Sequence, residues 1–457
     1  MALKSRFYRQ KGRVTMDENE LMGSMKVSKA VAKMAIPSVI SSLVTVVYNM
    51  ADTFFVGQTG DPLQVAAVSQ TNPIFILFMA FANMFGMGGS AAASMALGEK
   101  KEKRVKQVSS FITYASLIVG IVFAVILLVG MQPVLQLFGA DADTYELAKG
   151  YTTYISYGAP FIIWSAAASF VVRADGASRE AMTGSMIGTV ANIILDPIFI
   201  SGFGMGAAGA AIATTIGNIM ASVYYLWYFC RKSRNMSIAF RYFKCGDRIL
   251  SQVCSAGLPT AIFSALMSIS TIILNQILVA YGNAPVAAIG IVFKANMFIT
   301  FLQMGMANGV QPLLGYSYGA GNRERFLAVE RYTKKCCLIV GVLATALFFF
   351  FREPIIRLFI SDTEVINYGV EMLIAYMISG PVIGILFMNM NCMQSTGNAL
   401  PATILSILRQ GVLLIPVLYG LNALLGLHGV IYGQALTDYV AVLLSIVIWR
   451  WKRRKTL

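Results

Sequence analysis

The chain has 457 residues, of which 57% are hydrophobic and only 12% charged. An ordinary soluble domain carries about 25% charge, so three soluble domains are excluded and a membrane protein is indicated. The 36 basic and 21 acidic residues leave a net charge of +15, but the basic residues sit in short clusters between long apolar runs and form no basic face, which excludes a nucleic-acid partner.

Basic residues are scattered through the first 33 positions, and no short apolar core with a small-residue cleavage site precedes the first long run, so no cleavable signal peptide is expected. Charge-free stretches then run from Pro62 to Gly98, Gln107 to Ala140, Tyr151 to Val172, Pro197 to Cys230, Leu250 to Phe293 and Met372 to Leu408. A bilayer crossing needs about 20 apolar residues, so the longer stretches hold one helix and part of another. Gly and Pro breaks divide the chain into twelve predicted helices near 31–56, 64–97, 107–131, 148–172, 180–200, 207–230, 251–280, 286–318, 329–350, 367–393, 401–420 and 429–450.

Lysines and arginines set the expected orientation. On the side shared by the two termini there are 31, against three (Lys149, Arg352 and Arg357) on the other. Positive residues stay in the cytoplasm, so the chain is expected to be a multi-pass protein of the cytoplasmic membrane with both termini in the cytoplasm. The six cysteines, Cys230, Cys245, Cys254, Cys336, Cys337 and Cys392, all fall in the expected inner loops or inner helix halves, and no disulfide is expected. One histidine and no zinc-knuckle pairing of cysteines give no sign of a transition-metal site.

Set against itself at an offset of 221, the chain aligns Gly88 with Gly309, Gly98 with Gly319, Leu137 with Leu358, Phe138 with Phe359, Asp141 with Asp362, Pro160 with Pro381 and Gly176 with Gly397. Within one residue of that offset Pro37 meets Pro259 and Gly209 meets Gly429. A near-constant offset falling on Gly and Pro indicates a duplicated six-helix unit. Six crossings return the chain to its starting side, so the copies share one orientation and the axis between them lies along the membrane normal. The expected fold is an all-α polytopic membrane protein of twelve transmembrane helices in two pseudo-symmetric six-helix bundles. The parts are a cytoplasmic tail (1–30), a first bundle (31–230), a basic cytoplasmic linker (231–250), a second bundle (251–450) and a short tail (451–457). A cleft between two such bundles is the architecture of alternating-access transporters. Gly86, Gly88, Gly89 and Ala91 to Ala93 are small enough to let helices approach closely.

Ionisable groups inside a membrane cost roughly 2.5 to 3.5 kcal/mol each, which makes every one a functional candidate. They are Asp52, Asp196, Lys294, Arg409 and Asp438, with Glu371 expected at the interface. Asp52 lies five residues before Gly57 at the outer end of the first helix, and Asp196 six before Gly202 at the outer end of the fifth. At about 1.5 Å per residue the two carboxylates share a depth. Asn192, one turn from Asp196, and Thr214 of the sixth helix reach the same level, and Pro197 leaves the carbonyl of Ile193 without its helical donor. Such an oxygen-rich set suits a hard cation. Without one, two close buried carboxylates are costly to keep ionised, so a proton could replace the ion. Arg409 and Asp438 both fall near the midplane of adjacent antiparallel helices and read as a structural ion pair or as a second ion or drug contact. Lys294 is an alternative partner for Asp438 or a cleft-lining cation. The 25 Met and 28 Phe suit an adaptable apolar cavity.

The segments Val47–Gly57, Ala191–Pro197 and Gly209–Thr214 resemble motifs of the first, fifth and sixth helices of the multidrug and toxic compound extrusion (MATE) family. Arg173-Ala174-Asp175-Gly176 and Gln394-Ser395-Thr396-Gly397 are similar to its paired motifs after helices four and ten. The resemblance covers almost the whole chain. It implies a cytoplasmic-membrane antiporter without cofactors that exports amphipathic, often cationic small molecules against inward sodium or proton flow. It also implies that Asp52, Asn192, Asp196 and Thr214 carry the coupling ion. The acidic residue some branches place in helix seven is missing, which fits the MepA-like bacterial branch. A monomer is expected.

A flippase for lipid-linked sugars shares the architecture, but its cleft would need several basic residues and only Lys294 and Arg409 are available. A membrane enzyme lacks an acid/base or metal constellation, because the single histidine, His428, falls in an outer loop and no HExxH motif exists.

Overall fold

The computed structural model describes residues 20–456, and the first 19 residues of the expected N-terminal tail lie outside them. Twelve helices long and apolar enough to cross a membrane account for most of the described residues. The first bundle comprises α1 (Val27–Gly57), α2 (Pro62–Gly98), α3 (Glu102–Val129), α4 (Tyr145–Ala174), α5 (Ser178–Pro197) and α6 (Gly206–Trp227). The second comprises α7 (Ile249–Val279), α8 (Asn283–Gly319), α9 (Arg323–Phe350), α10 (Thr363–Ser395), α11 (Ala399–Leu425) and α12 (Leu427–Thr456). Every predicted helix coincides with one of these, its ends displaced by no more than six residues.

Helix boundaries follow local chemistry. Asp61 and Asp362 cap α2 and α10 by accepting from the backbone N–H groups of Leu63 and of Glu364 and Val365. After α4 and α10 the chain turns through Gly176 (φ 87°) and Gly397 (φ 74°), a left-handed conformation that residues with a Cβ adopt at a cost. Those glycines are 221 positions apart, so the duplication extends to the turns.

Packing repeats in the same way. Within the first bundle α4 lies against α2, α3 and α6, and α5 against α1 and α6; shifting each number by six gives the packing of the second. Between the bundles α2 meets α7, α8 meets α1, and α2 crosses α8. These crossings are made at glycines on the side of the termini. A Cβ at Gly88 would lie 1.9 Å from the carbonyl oxygen of Val253, and one at Gly257 1.8 Å from that of Met84. At Gly98 it would lie 2.2 Å from the Tyr316 oxygen, and at Gly319 2.1 Å from that of Met95. Gly305 and Gly309 admit Ser38, Val39 and Ser42 of α1 in the same manner. Gly86 and Gly89 serve the interior of the first bundle instead, against Phe170 of α4 and Ile112 of α3.

On the opposite side the same faces are uncovered. Leu77, two turns along α2 from Met84, is 44% exposed, and Met267, four turns along α7 from Val253, is 49% exposed. On α8, Gly290 has open space where a Cβ would stand. The bundles are therefore closed against each other on the terminal side and separated on the other, which leaves a cleft.

Two segments differ from the sequence expectation. Residues of the expected N-terminal tail are packed, because the Arg325 guanidinium at the start of α9 donates to the carbonyls of Leu21, Met22 and Met25 at 3.0, 2.8 and 2.7 Å, and Leu21 and Met22 are buried. The expected C-terminal tail continues α12, anchored by buried Trp449, whose indole N–H donates to Glu330 at 2.7 Å. The basic linker is laid along the first bundle. Ser109, Ser110 and Tyr114 of α3 donate to the carbonyls of Ser237, Ala239 and Ile238, and buried Asp175 accepts from Tyr228, Ser233 and Asn235 at 2.8, 2.7 and 3.0 Å. Burial of Asp175 holds its carboxyl above the ordinary range against the opposing pull of those three donors.

Candidate functional site

The oxygen cluster forms where α5 and α6 cross. Gly188 and Gly217 make the crossing tight: a Cβ at Gly217 would lie 2.5 Å from the Gly188 carbonyl oxygen and 3.3 Å from the Asn192 Cβ. That proximity sets Asn192 beside Thr214. With the amide oriented as its neighbours require, Asn192 donates to Asp196 Oδ2 at 3.0 Å and accepts from the Thr214 backbone N–H at 2.9 Å and its hydroxyl at 3.2 Å. All three side chains are buried, and among the described residues Asp196 Oδ1 has no hydrogen-bond partner. After Asp196, Pro197 ends the α-helical bonding of α5 and the chain runs on as a π turn, Ile198–Gly202.

Helix α1 brings in the rest. Asp52 is half-buried, lies within Coulombic range of Asp196, and accepts no hydrogen bond among the described residues. Tyr48, one turn earlier on α1, sits with its hydroxyl 3.4 Å from that of Thr214. Tyr151 of α4 is within Coulombic range of both carboxylates, as is Tyr48. Sequence reasoning missed these two tyrosines. Tyr48 had a usable signal, its position four residues before Asp52, whereas Tyr151 had none.

This set contains two carboxylates, an amide, a threonine hydroxyl and two phenols, and among the described residues neither Asp52 nor the fully buried Asp196 Oδ1 accepts a hydrogen bond. Its donors are neutral and anionic oxygens, the ligand type that hard cations prefer. Asn218 supports it from below, donating to the Thr214 carbonyl at 2.8 Å while accepting from Ser165 at 2.9 Å.

The second-bundle candidates do not converge into one site. Arg409, on the π turn Leu408–Val412 within α11, donates through Nε to Asp438 Oδ1 at 2.8 Å; the same oxygen accepts from Gln434 at 3.0 Å. The guanidinium lies over the rings of Phe263 (5.3 Å) and Phe387 (5.6 Å), with both charged groups buried. Lys294 is elsewhere: among the described residues it has neither an ion pair nor a hydrogen bond. Glu371 meets His428 at 2.6 Å on the side away from the termini.

Comparison with known proteins agrees with this architecture. The MatE family profile matches twice, over residues 37–198 and 259–419, once in each bundle. The multidrug export protein MepA of Staphylococcus saprophyticus is 32% identical over 422 residues, covering 92% of this chain and 93% of that protein. MepA of Staphylococcus aureus is similar to the same degree. Among solved structures, a MATE in complex with MaD3S superposes with a TM-score of 0.90 at 26% identity, covering 95% of this chain and 97% of that one. An outward-facing multidrug resistance MATE transporter gives 0.87 at 26% identity over 94% of this chain and 96% of that one. The chain belongs to the MatE family, as a twelve-helix multidrug efflux transporter of the cell membrane and not an enzyme.

Proposed function

We propose that this protein is a secondary antiporter that expels amphipathic, often cationic compounds in exchange for inward sodium or protons, and that Asp52, Asn192, Asp196 and Thr214 hold the coupling ion. The observation that carries this reading is the Asp196 oxygen that no donor reaches among the described residues, buried in a membrane-spanning helix beside a second carboxylate. Uncompensated charge at that depth is costly, so the pair is served by a cation that enters and leaves.

The 31-to-3 distribution of basic residues supports cytoplasmic termini, which makes the described state closed to the cytoplasm and open to the outside. The partition into residues 31–230, 231–250 and 251–450 is supported by the two family matches and the repeated packing. Helix α1 couples ion to gate: its inner half carries Ser38 and Ser42 against Gly305 and Gly309, and its outer half carries Tyr48 and Asp52 at the cluster. A cation arriving from outside neutralises the carboxylates, α1 repacks on α5, and the inner contacts of the same helix loosen. The ion then leaves to the cytoplasm. A ligand shifts such an equilibrium only through its different affinity for the two states, so cation and drug must favour opposite ones. The chain works as a monomer, since each bundle supplies half of the cleft.

Substrate uptake into inside-out vesicles, with an imposed sodium gradient and then an imposed pH gradient, tests the reading. One gradient is expected to drive uptake. No response to either refutes antiport.

A further inference from the structure

Helices α1 and α8 cross antiparallel, with Ser42 against Gly305. From that contact toward the open side, Asp52 lies ten residues along α1 and Lys294 eleven residues back along α8. At about 1.5 Å per residue the two climb about 15 and 16 Å and reach the same level, Asp52 on α1 of the first bundle and Lys294 on α8 of the second. Eleven residues are three helical turns, so Lys294 projects from the face of α8 that Gly305 presents to α1. Gly290, one turn beyond it, has open space at its Cβ position. The lysine is half-buried within a membrane-spanning helix and has no ion-pair partner among the described residues, while Asp438 is already held by Arg409 and Gln434.

We infer that Lys294 is a substrate-recognition residue, and that the cleft takes zwitterionic amphiphiles whose carboxylate meets Lys294 while their cationic nitrogen lies toward Asp52. An unpaired ammonium at this depth is expensive to keep unless an anion visits it. A neutral wall would bind organic cations without that cost. The apolar body of the substrate rests against Phe298 and Met297, which follow Lys294 on α8. The inference rests on the antiporter reading, because it assigns the cationic end of the substrate to the carboxylate that the coupling ion neutralises.

The test uses a xanthene dye with a free carboxylate and the methyl ester of the same dye, which differ in that charge and by one methyl group. Binding of each to the purified full-length protein in detergent is followed by fluorescence anisotropy, without any ion gradient. The wild type is expected to bind the acid more tightly than the ester. Lys294→Met is expected to weaken the acid by about tenfold and leave the ester unchanged, with Lys294→Arg retaining the preference. A wild type that prefers the ester, or a Lys294→Met that weakens both dyes equally, overturns the inference. The wild-type comparison needs no variant, so it decides even if a substitution misfolds. Because no gradient enters, this result is separate from failure of the antiporter reading, which would show as vesicles that ignore both gradients.

Discussion

Consider Gly257→Ala. In the described state a Cβ at this position would lie 1.8 Å from the Met84 carbonyl oxygen, where ordinary contact begins at 3.4 Å. The α2 and α7 backbones must therefore part by about 1.6 Å, and the obstructing atoms are backbone, so no side chain can swing away. Overpacking of this kind costs roughly 1 to 3 kcal/mol. The clash exists only while the bundles are closed on the terminal side, so the cost falls on that state and shifts the conformational equilibrium by about fivefold to 150-fold. Ser94 of α2, fully buried against Gly315 of α8, reports the change when replaced by cysteine in a background with the six native cysteines removed. An impermeant thiol reagent applied to the terminal face of inside-out vesicles should modify it faster, by a factor in that range, when Gly257→Ala is present. Gly290→Ala, which meets nothing within 4 Å, should leave the rate unchanged. Equal rates in the wild type and Gly257→Ala, or an equal increase with Gly290→Ala, would refute the claim that these glycines form the closed gate.

Other expectations concern the ion pair and the orientation. Asp438→Asn leaves the buried Arg409 guanidinium without its counter-charge and should destabilise the protein by about 3 to 5 kcal/mol, read as thermal stability in detergent, whereas adding Arg409→Gln should recover part of that loss. If both variants are as stable as the wild type and fail only in transport, the pair belongs to the substrate path. Cysteines at Asp61 or Asp143 should react with an impermeant reagent on intact cells, and cysteines at Lys101 or Arg323 should not. The reverse pattern would overturn the cytoplasmic placement of the termini.

What was legible in the sequence is what membranes constrain. Apolar runs had to be helices, and a fixed offset falling on glycines had to be a duplication, so Gly176 and Gly397 occupy equivalent turns. Distance from a helix end measures depth directly, which is why Asp52 and Asp196 could be matched before their helices were placed side by side. Rotation about the helix axis was not legible. Nothing in the chain separates Gly88, which faces the other bundle, from Gly86 and Gly89, which face their own. Contacts between distant segments were equally hidden: the hold of Arg325 on the residues before α1, and that of Asp175 on the linker, join groups unrelated by any period. Tyr151 escaped for the same reason, since tyrosines near a membrane surface are common and only the approach of α4 gives this one a role.

The central claim is that ion coupling resides in the Asp52 and Asp196 carboxylates, and the most direct test is gradient-driven drug uptake into inside-out vesicles carrying Asp52→Asn or Asp196→Asn. Each amide fixes the neutral condition that a bound cation produces, so both variants should insert at wild-type levels and still lose gradient-driven uptake, falling to the passive leak. Uptake at the wild-type rate by either variant, at matched amounts in the membrane, would contradict the account.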